Sequence, residues 1–111
     1  MARELFKGDL PVLILAVLAE APCHGYSLAR EIERRSEGAL GAKEGTLYPA
    51  LRVLEQKGSI EGRWDENSVG PARKTYRLTA AGQAELERSA REWKSYARAF
   101  EQVLEGKNVI N

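Results

Sequence analysis

A chain of 111 residues, 43% hydrophobic and 30% charged, has the make-up of one small globular domain and excludes a disordered chain. Its formal net charge of +1 decides nothing about nucleic acid, so the distribution of charge matters more than the sum. The single cysteine, Cys23, excludes an intrachain disulfide and fits a reducing, cytoplasmic setting; the longest apolar run, Leu10 to Ala19, is too short to cross a bilayer, and the opening residues lead us to expect no signal peptide.

Residues 10–20 read as a helix that is apolar nearly all round, from Leu10 and Val12 to Val17 and Leu18. Asp9 is its candidate cap, and Pro11 suits a first turn. A helix with no polar face has to be covered on all sides, by its own domain or in part by a second subunit. The segment from Glu20 to Gly25, with Pro22 and Gly25 as punctuation, reads as a break. A second helix follows over Tyr26–Arg35, with Leu28 and Ile32 on its buried stripe, and Ser36 to Ala42 reads as a loop.

A third helix is expected over Glu44–Lys57, where Leu47, Ala50, Leu51 and Leu54 fall at helical spacing on one face. Pro49 is placed in its first turn, because deeper in a helix proline costs about 3 kcal/mol, and Gly58 ends the helix. The period then changes. Ser59–Trp64 and Lys74–Leu78 alternate in part, and the turn formers Asp65, Asn67, Ser68, Gly70 and Pro71 lie between them, which predicts an antiparallel hairpin. Thr79 then caps a long helix reaching Glu105, on which Leu86, Ala90, Trp93, Ala97, Phe100 and Leu104 trace a heptad seam.

The expected fold class is therefore mostly α with a small two-stranded antiparallel β wing. Residues 1–79 would form a winged helix-turn-helix DNA-binding domain and residues 80–111 a C-terminal dimerisation helix. In such a unit the second helix of the pair enters the major groove. With its leucines turned inward, helix three is left with Lys43, Glu44, Thr46, Tyr48 and Arg52 on its outer side. Hydroxyls and cations suit phosphate, and the fork of Arg52 suits guanine. The hairpin adds Arg63, Arg73, Lys74 and Arg77. The same patterns also fit a solvated helix face and a charge-protected edge strand.

Three segments resemble the PadR family of transcriptional regulators, in its short form with one C-terminal helix. They are His24-Gly25-Tyr26, then Gly45-Thr46-Leu47-Tyr48-Pro49-Ala50-Leu51 with Leu54-Glu55 and Gly58, and Gly70-Pro71-Ala72-Arg73-Lys74-Thr75-Tyr76 with Leu78-Thr79 and Gly82. The resemblance implies a homodimeric repressor that binds double-stranded DNA and often answers a small-molecule signal. The DNA-binding set is then Tyr26, Lys43, Thr46, Tyr48, Arg52, Arg63, Arg73 and Lys74. The dimer set is Leu13 and Val17 of helix one with Leu86, Ala90, Trp93, Ala97, Phe100 and Leu104 of the last helix.

Trp93, Tyr96 and Phe100 could line a slot at the interface for a hydrophobic or aromatic effector, although the same residues suit plain interface packing. A rival reading is a winged-helix module that binds protein and not DNA. Catalysis is disfavoured: one histidine, one cysteine and no phosphate-cradling glycine loop offer no reactive constellation. No cofactor and no membrane contact are expected, and Cys23 with His24 is too few ligands for a metal.

Overall fold

The computed structural model describes residues 3–4, 8–66 and 70–106. Asn67 and Ser68 of the expected wing turn lie outside the described residues. In chain order the elements are β1 (Arg3–Glu4), α1 (Leu10–Leu18), β2 (Cys23–His24), α2 (Gly25–Arg35), β3 (Leu40–Gly41), α3 (Glu44–Gln56), β4 (Ile60–Trp64), β5 (Lys74–Leu78) and α4 (Ala80–Glu105). The chain is mostly helical, with the wing hairpin β4–β5 between α3 and the long α4.

The leucine face of α3 turns inward as its spacing requires. Leu47, Leu51 and Leu54 are buried together with Leu10, Ile14 and Leu15 of α1, Leu28 of α2 and Ile60 of β4. Each such side chain contributes about 1.5–3 kcal/mol by leaving water, and α1 sits at the centre, packed on α2, α3, α4 and β5.

Four local expectations meet a different outcome. Asp9 precedes α1 with helical angles (φ −89°, ψ −29°) and makes no side-chain cap bond; capping needs an extended residue whose oxygen reaches forward to accept from the free N–H groups of the first turn. Pro49 lies inside α3, in its second turn. It leaves the carbonyl of Gly45 without an intrahelical partner. Gly45 is exposed and has open space around it, so water can take that bond. The break before α2 contains β2, which pairs with β5 through Cys23↔Tyr76 and His24↔Thr75, so the wing hairpin grows into a three-stranded sheet. The loop before α3 contains β3, paired in parallel with β1.

The end of α3 and the start of α4 are locked together. Gly58 takes φ +82°, and the amides of Gly58 and Ser59 close back on the carbonyls of Glu55 and Leu54, a Schellman end. The Thr79 oxygen accepts the Gly82 amide at 3.0 Å as the N-cap of α4. Its hydroxyl also lies 2.6 and 2.9 Å from the carbonyls of Gly58 and Ser59. Gly82 allows the close approach: a Cβ there would stand 2.0 Å from the Ser59 carbonyl oxygen. Beyond this junction α4 projects, and the molecule is elongated, 67 × 33 × 21 Å.

Candidate nucleic-acid interface

Strand alternation sorts the wing side chains onto two faces. The register pairs Ile60 with Leu78, Gly62 with Tyr76 and Trp64 with Lys74. These residues share one face, which starts in the core and runs out past α3. Glu61, Arg63, Thr75 and Arg77 take the opposite face, where Arg77 Nε bonds Glu61 at 3.0 Å.

The outward part of the first face overhangs the exposed side of α3. A concavity of about 410 Å3 lies between them, closed on its third side by the start of α2. Tyr48, Arg52 and Glu55 line it from α3, Trp64, Arg73, Lys74 and Tyr76 from the wing, and His24 and Tyr26 from the third side. Three permanent cations thus face one carboxylate. Arg52 has no ion-pair partner among the described residues, whereas Lys74 Nζ bonds Glu55 Oε1 at 3.0 Å. The Lys74 ammonium also lies 5.5 Å from the Trp64 ring and 5.4 Å from the Tyr76 ring, and the Arg73 guanidinium lies 5.8 Å from the Tyr26 ring.

The wing is tied to α2 by one carboxylate. Asp65 takes His24 Nε2 on one oxygen and the Thr75 hydroxyl on the other, both at 2.9 Å. Those two bonds, His24 first, hold the Asp65 carboxyl below its ordinary range. His24 stacks on Tyr26 with centroids 6.0 Å apart. Gly25 eases the packing here too, since a Cβ would stand 3.0 Å from the Tyr48 ring and press it aside by a few tenths of an ångström. The His-Gly-Tyr segment therefore seats two tyrosines against one another's surroundings and fixes the wing beside them. Burial pushes the neighbouring Cys23 thiol up, with Glu31 adding to the shift, so it stays protonated and inert.

The concavity thus gathers five of the residues proposed from sequence as DNA ligands: Tyr26, Tyr48, Arg52, Arg73 and Lys74. Tyr48 is 38% exposed and Arg52 is exposed. Lys43 and Thr46 stand at the start of α3, off the lining, and Arg63 sits on the far face of the wing. Sequence reasoning passed over Trp64 and Glu55. Both were readable: Trp64 sits in register with Ile60 and Gly62, and Glu55 lies one turn beyond Arg52.

On α4 the seam residues Trp93, Phe100 and Leu104 are exposed, as are Tyr96 and Val103 beside them. Tyr96 and Phe100 stack at 6.2 Å. Leu86 packs on the core of its own chain, while Ala90 and Ala97 are half-buried. The two α1 residues of the dimer set differ from each other. Leu13 is half-buried, but Val17 is only 5% exposed and is spent on the chain's own core, so it has little surface left for a partner. Among the described residues no helix is long and apolar enough to cross a membrane, and no group of three or more His, Cys, Asp or Glu side chains could hold a metal.

The profile of the Transcriptional regulator PadR-like family matches residues 14–88, from α1 into the first turns of α4. Transcriptional regulator Rv3488 of Mycobacterium tuberculosis is 34% identical over 107 residues, 96% of this chain and 92% of that one. A crystal structure of a PadR family transcription regulator from Clostridium difficile superposes with a TM-score of 0.74 at 34% identity, covering 86% of this chain and 97% of the other. The Streptococcus mutans protein smu.1704 superposes over 100% of both chains with a TM-score of 0.81 at 29% identity. Other curated relatives are longer, and the chain spans 26% and 39% of two of them. The leucine-backed helix α3, its overhanging wing and this shared profile lead to one assignment: the chain belongs to the PadR-like family and is a transcriptional regulator, not an enzyme.

Proposed function

We propose that the protein is a sequence-specific DNA-binding repressor that works in the cytoplasm as a homodimer on a palindromic operator. One observation carries the reading: α3 buries its leucines and turns Tyr48 and Arg52 into a concavity that the wing flanks with Arg73 and Lys74. A helix beside an overhanging hairpin suits the major groove and its phosphates. Arg52, unpaired among the described residues, is the base-reading candidate, and Tyr26, Tyr48 and Arg73 hold the backbone. Lys43 and Thr46, at the start of α3, suit phosphates met by its free N–H groups. Arg63 is assigned to the flanking backbone.

The exposed seam of α4 supplies the dimer, with Leu13 of the partner's α1 as an added surface. Two-fold symmetry would set two recognition helices about 34 Å apart, one turn of DNA. Trp93, Tyr96 and Phe100 of both subunits would meet near that axis, where a flat hydrophobic or aromatic effector could enter between rings.

The test is fluorescence anisotropy with the DNA upstream of the protein's own gene. Arg52→Ala is expected to cost about 1–3 kcal/mol in each half-site of that DNA and to blur the preference at one base pair there. Arg73→Ala is expected to weaken all sequences alike and to flatten the salt slope by about 0.9 per subunit, hence by about 1.8 for the dimer. A wild-type chain that binds this DNA no better than random duplex contradicts the sequence-specific reading.

A further inference from the structure

Lys74 is not spread toward solvent as a phosphate-binding lysine would be. Its backbone lies beyond the core, opposite Trp64. Its side chain runs back along the sheet: a Cβ at Gly62, one pair nearer the core, would fall 2.4 Å from Lys74 Cε. The ammonium ends 3.0 Å from the Glu55 carboxylate, between the rings of Trp64 and Tyr76. The walls of this nest are the side chains of Glu55, Trp64 and Tyr76. Gly62 clears the floor, because that same Cβ would also meet Tyr76 and Glu55 Oε2 at 3.0 Å. Glu55 supplies the counter-charge from the last turns of the recognition helix.

We propose that Glu55 is an affinity-setting residue that withholds Lys74 from the phosphates of non-specific DNA. This rests on the reading that the α3–wing face meets DNA. Non-specific binding comes essentially from cation–phosphate contacts. A lysine neutralised within the protein is absent from those contacts, and pulling it out would strand a carboxylate in front of the phosphates. The regulator therefore meets random duplex with one cation fewer per subunit than its wing sequence suggests, which lowers its background occupancy.

Two variants test this in different ways. Glu55→Gln removes the counter-charge. Gly62→Ala keeps every charge and evicts the lysine sterically, so it separates sequestration of Lys74 from simple repulsion by Glu55. Both are read by anisotropy on a random-sequence duplex across a salt series, with circular dichroism to confirm folding. Each is expected to bind roughly fivefold tighter per subunit near 0.15 M salt and to steepen the salt slope by about 0.9 per subunit, the signature of one added phosphate contact in each.

In the wild-type protein the Lys74 ε-methylene protons are expected to resonate upfield, shielded by the two rings, and to stay there when random duplex is added. A folded Glu55→Gln protein that binds no tighter overturns the proposal, as does movement of the Lys74 resonances out of the rings when the wild type meets duplex. Tighter binding by Glu55→Gln without tighter binding by Gly62→Ala also overturns it, in favour of direct repulsion. A wild-type chain that binds no duplex at all instead overturns the DNA reading, and the withholding role with it.

Discussion

Truncating Phe100 to alanine is expected to take the dimer apart. Trp93, Tyr96, Phe100, Val103 and Leu104 are 53, 67, 55, 81 and 71% exposed in the single chain. With large side chains covering roughly 150–250 Å2 each, these five leave on the order of 600 Å2 of apolar surface per subunit. That is as large as the largest patch on a typical monomer, and a standard interface buries about 800 Å2 per partner. Phe100 sits in the middle of the stripe, stacked on Tyr96. Loss of a central aromatic anchor costs about 2–4 kcal/mol. Two-fold symmetry applies the loss to both subunits, so the dimer would weaken by about 4–8 kcal/mol, a factor of roughly a thousand or more in Kd. Sedimentation velocity across the low-micromolar range would then show the variant as single subunits and the wild type as dimers. A Phe100→Ala dimer as tight as the wild type refutes the seam as the interface, and a wild-type chain that sediments alone refutes the dimer itself.

Further outcomes follow from particular contacts. Gly82→Ala drives a Cβ into the Ser59 backbone, and overpacking against a backbone costs about 2–3 kcal/mol, seen as a fall in Tm of roughly 10 °C by circular dichroism. Asp65→Asn removes a carboxylate held low first by His24 and then by Thr75. A depressed carboxylate stabilises the fold above its unfolded pKa of about 3.9 and loses that contribution as pH falls through its folded value. The gap in urea midpoint between wild type and variant is therefore expected to hold above that pH and to close below it; a gap that widens on acidification would contradict the assignment. Glu31, bonded by Arg34 and then Arg35, has its carboxyl lowered to about 2. Carbon-13 NMR titration should find a midpoint there, and Arg34→Ala should move it back toward the ordinary glutamate range.

The parts of this molecule that were legible in its sequence are those with a period or a strong local signal. Leu47, Leu51 and Leu54 repeat at helical spacing, so both the buried side of α3 and the exposure of Tyr48 and Arg52 followed at once. Thr79 was recognisable as a cap because its residue type, the end of β5 and the start of the helix coincide. The two-residue strand Cys23–His24 was not legible: it carries no alternation and owes its existence to the edge that β5 offers. The Glu55–Lys74 nest was also hidden. Its partners are 19 residues apart, and the reason for it is a side chain that Gly62 lacks, which only the register with Tyr76 makes plain. Pro49 misled in the other direction. The penalty for proline inside a helix joins a lost bond to a clash with the carbonyl four residues back, and here the lost bond falls on exposed Gly45, where water can replace it.

The position of Ser59 connects the proposed recognition helix, α3, to the proposed dimer helix, α4. Its amide ends α3 through the Leu54 carbonyl, and its own carbonyl takes the Thr79 amide and hydroxyl. Its buried hydroxyl bonds Glu85 of α4, which also receives Lys57 from the end of α3 at 3.2 Å. Burial would raise the Glu85 carboxyl, but the Ser59 and Lys57 bonds outweigh it and keep the group ionised. One residue is thus bonded to the end of α3, to the N-cap of α4 and to the second turn of α4. Gly82 removes the slack by bringing the two backbones into direct contact. A junction held at this many points does not bend easily, so α3 and the first turns of α4 must move as one body. In a dimer built on the α4 seam, any change in the angle at which the two seams cross would have to appear as a change in the spacing of the two α3 helices. On the proposed reading, that spacing is the quantity a palindromic site measures, so the proposed effector would act at the seam and not at the concavity that would touch DNA.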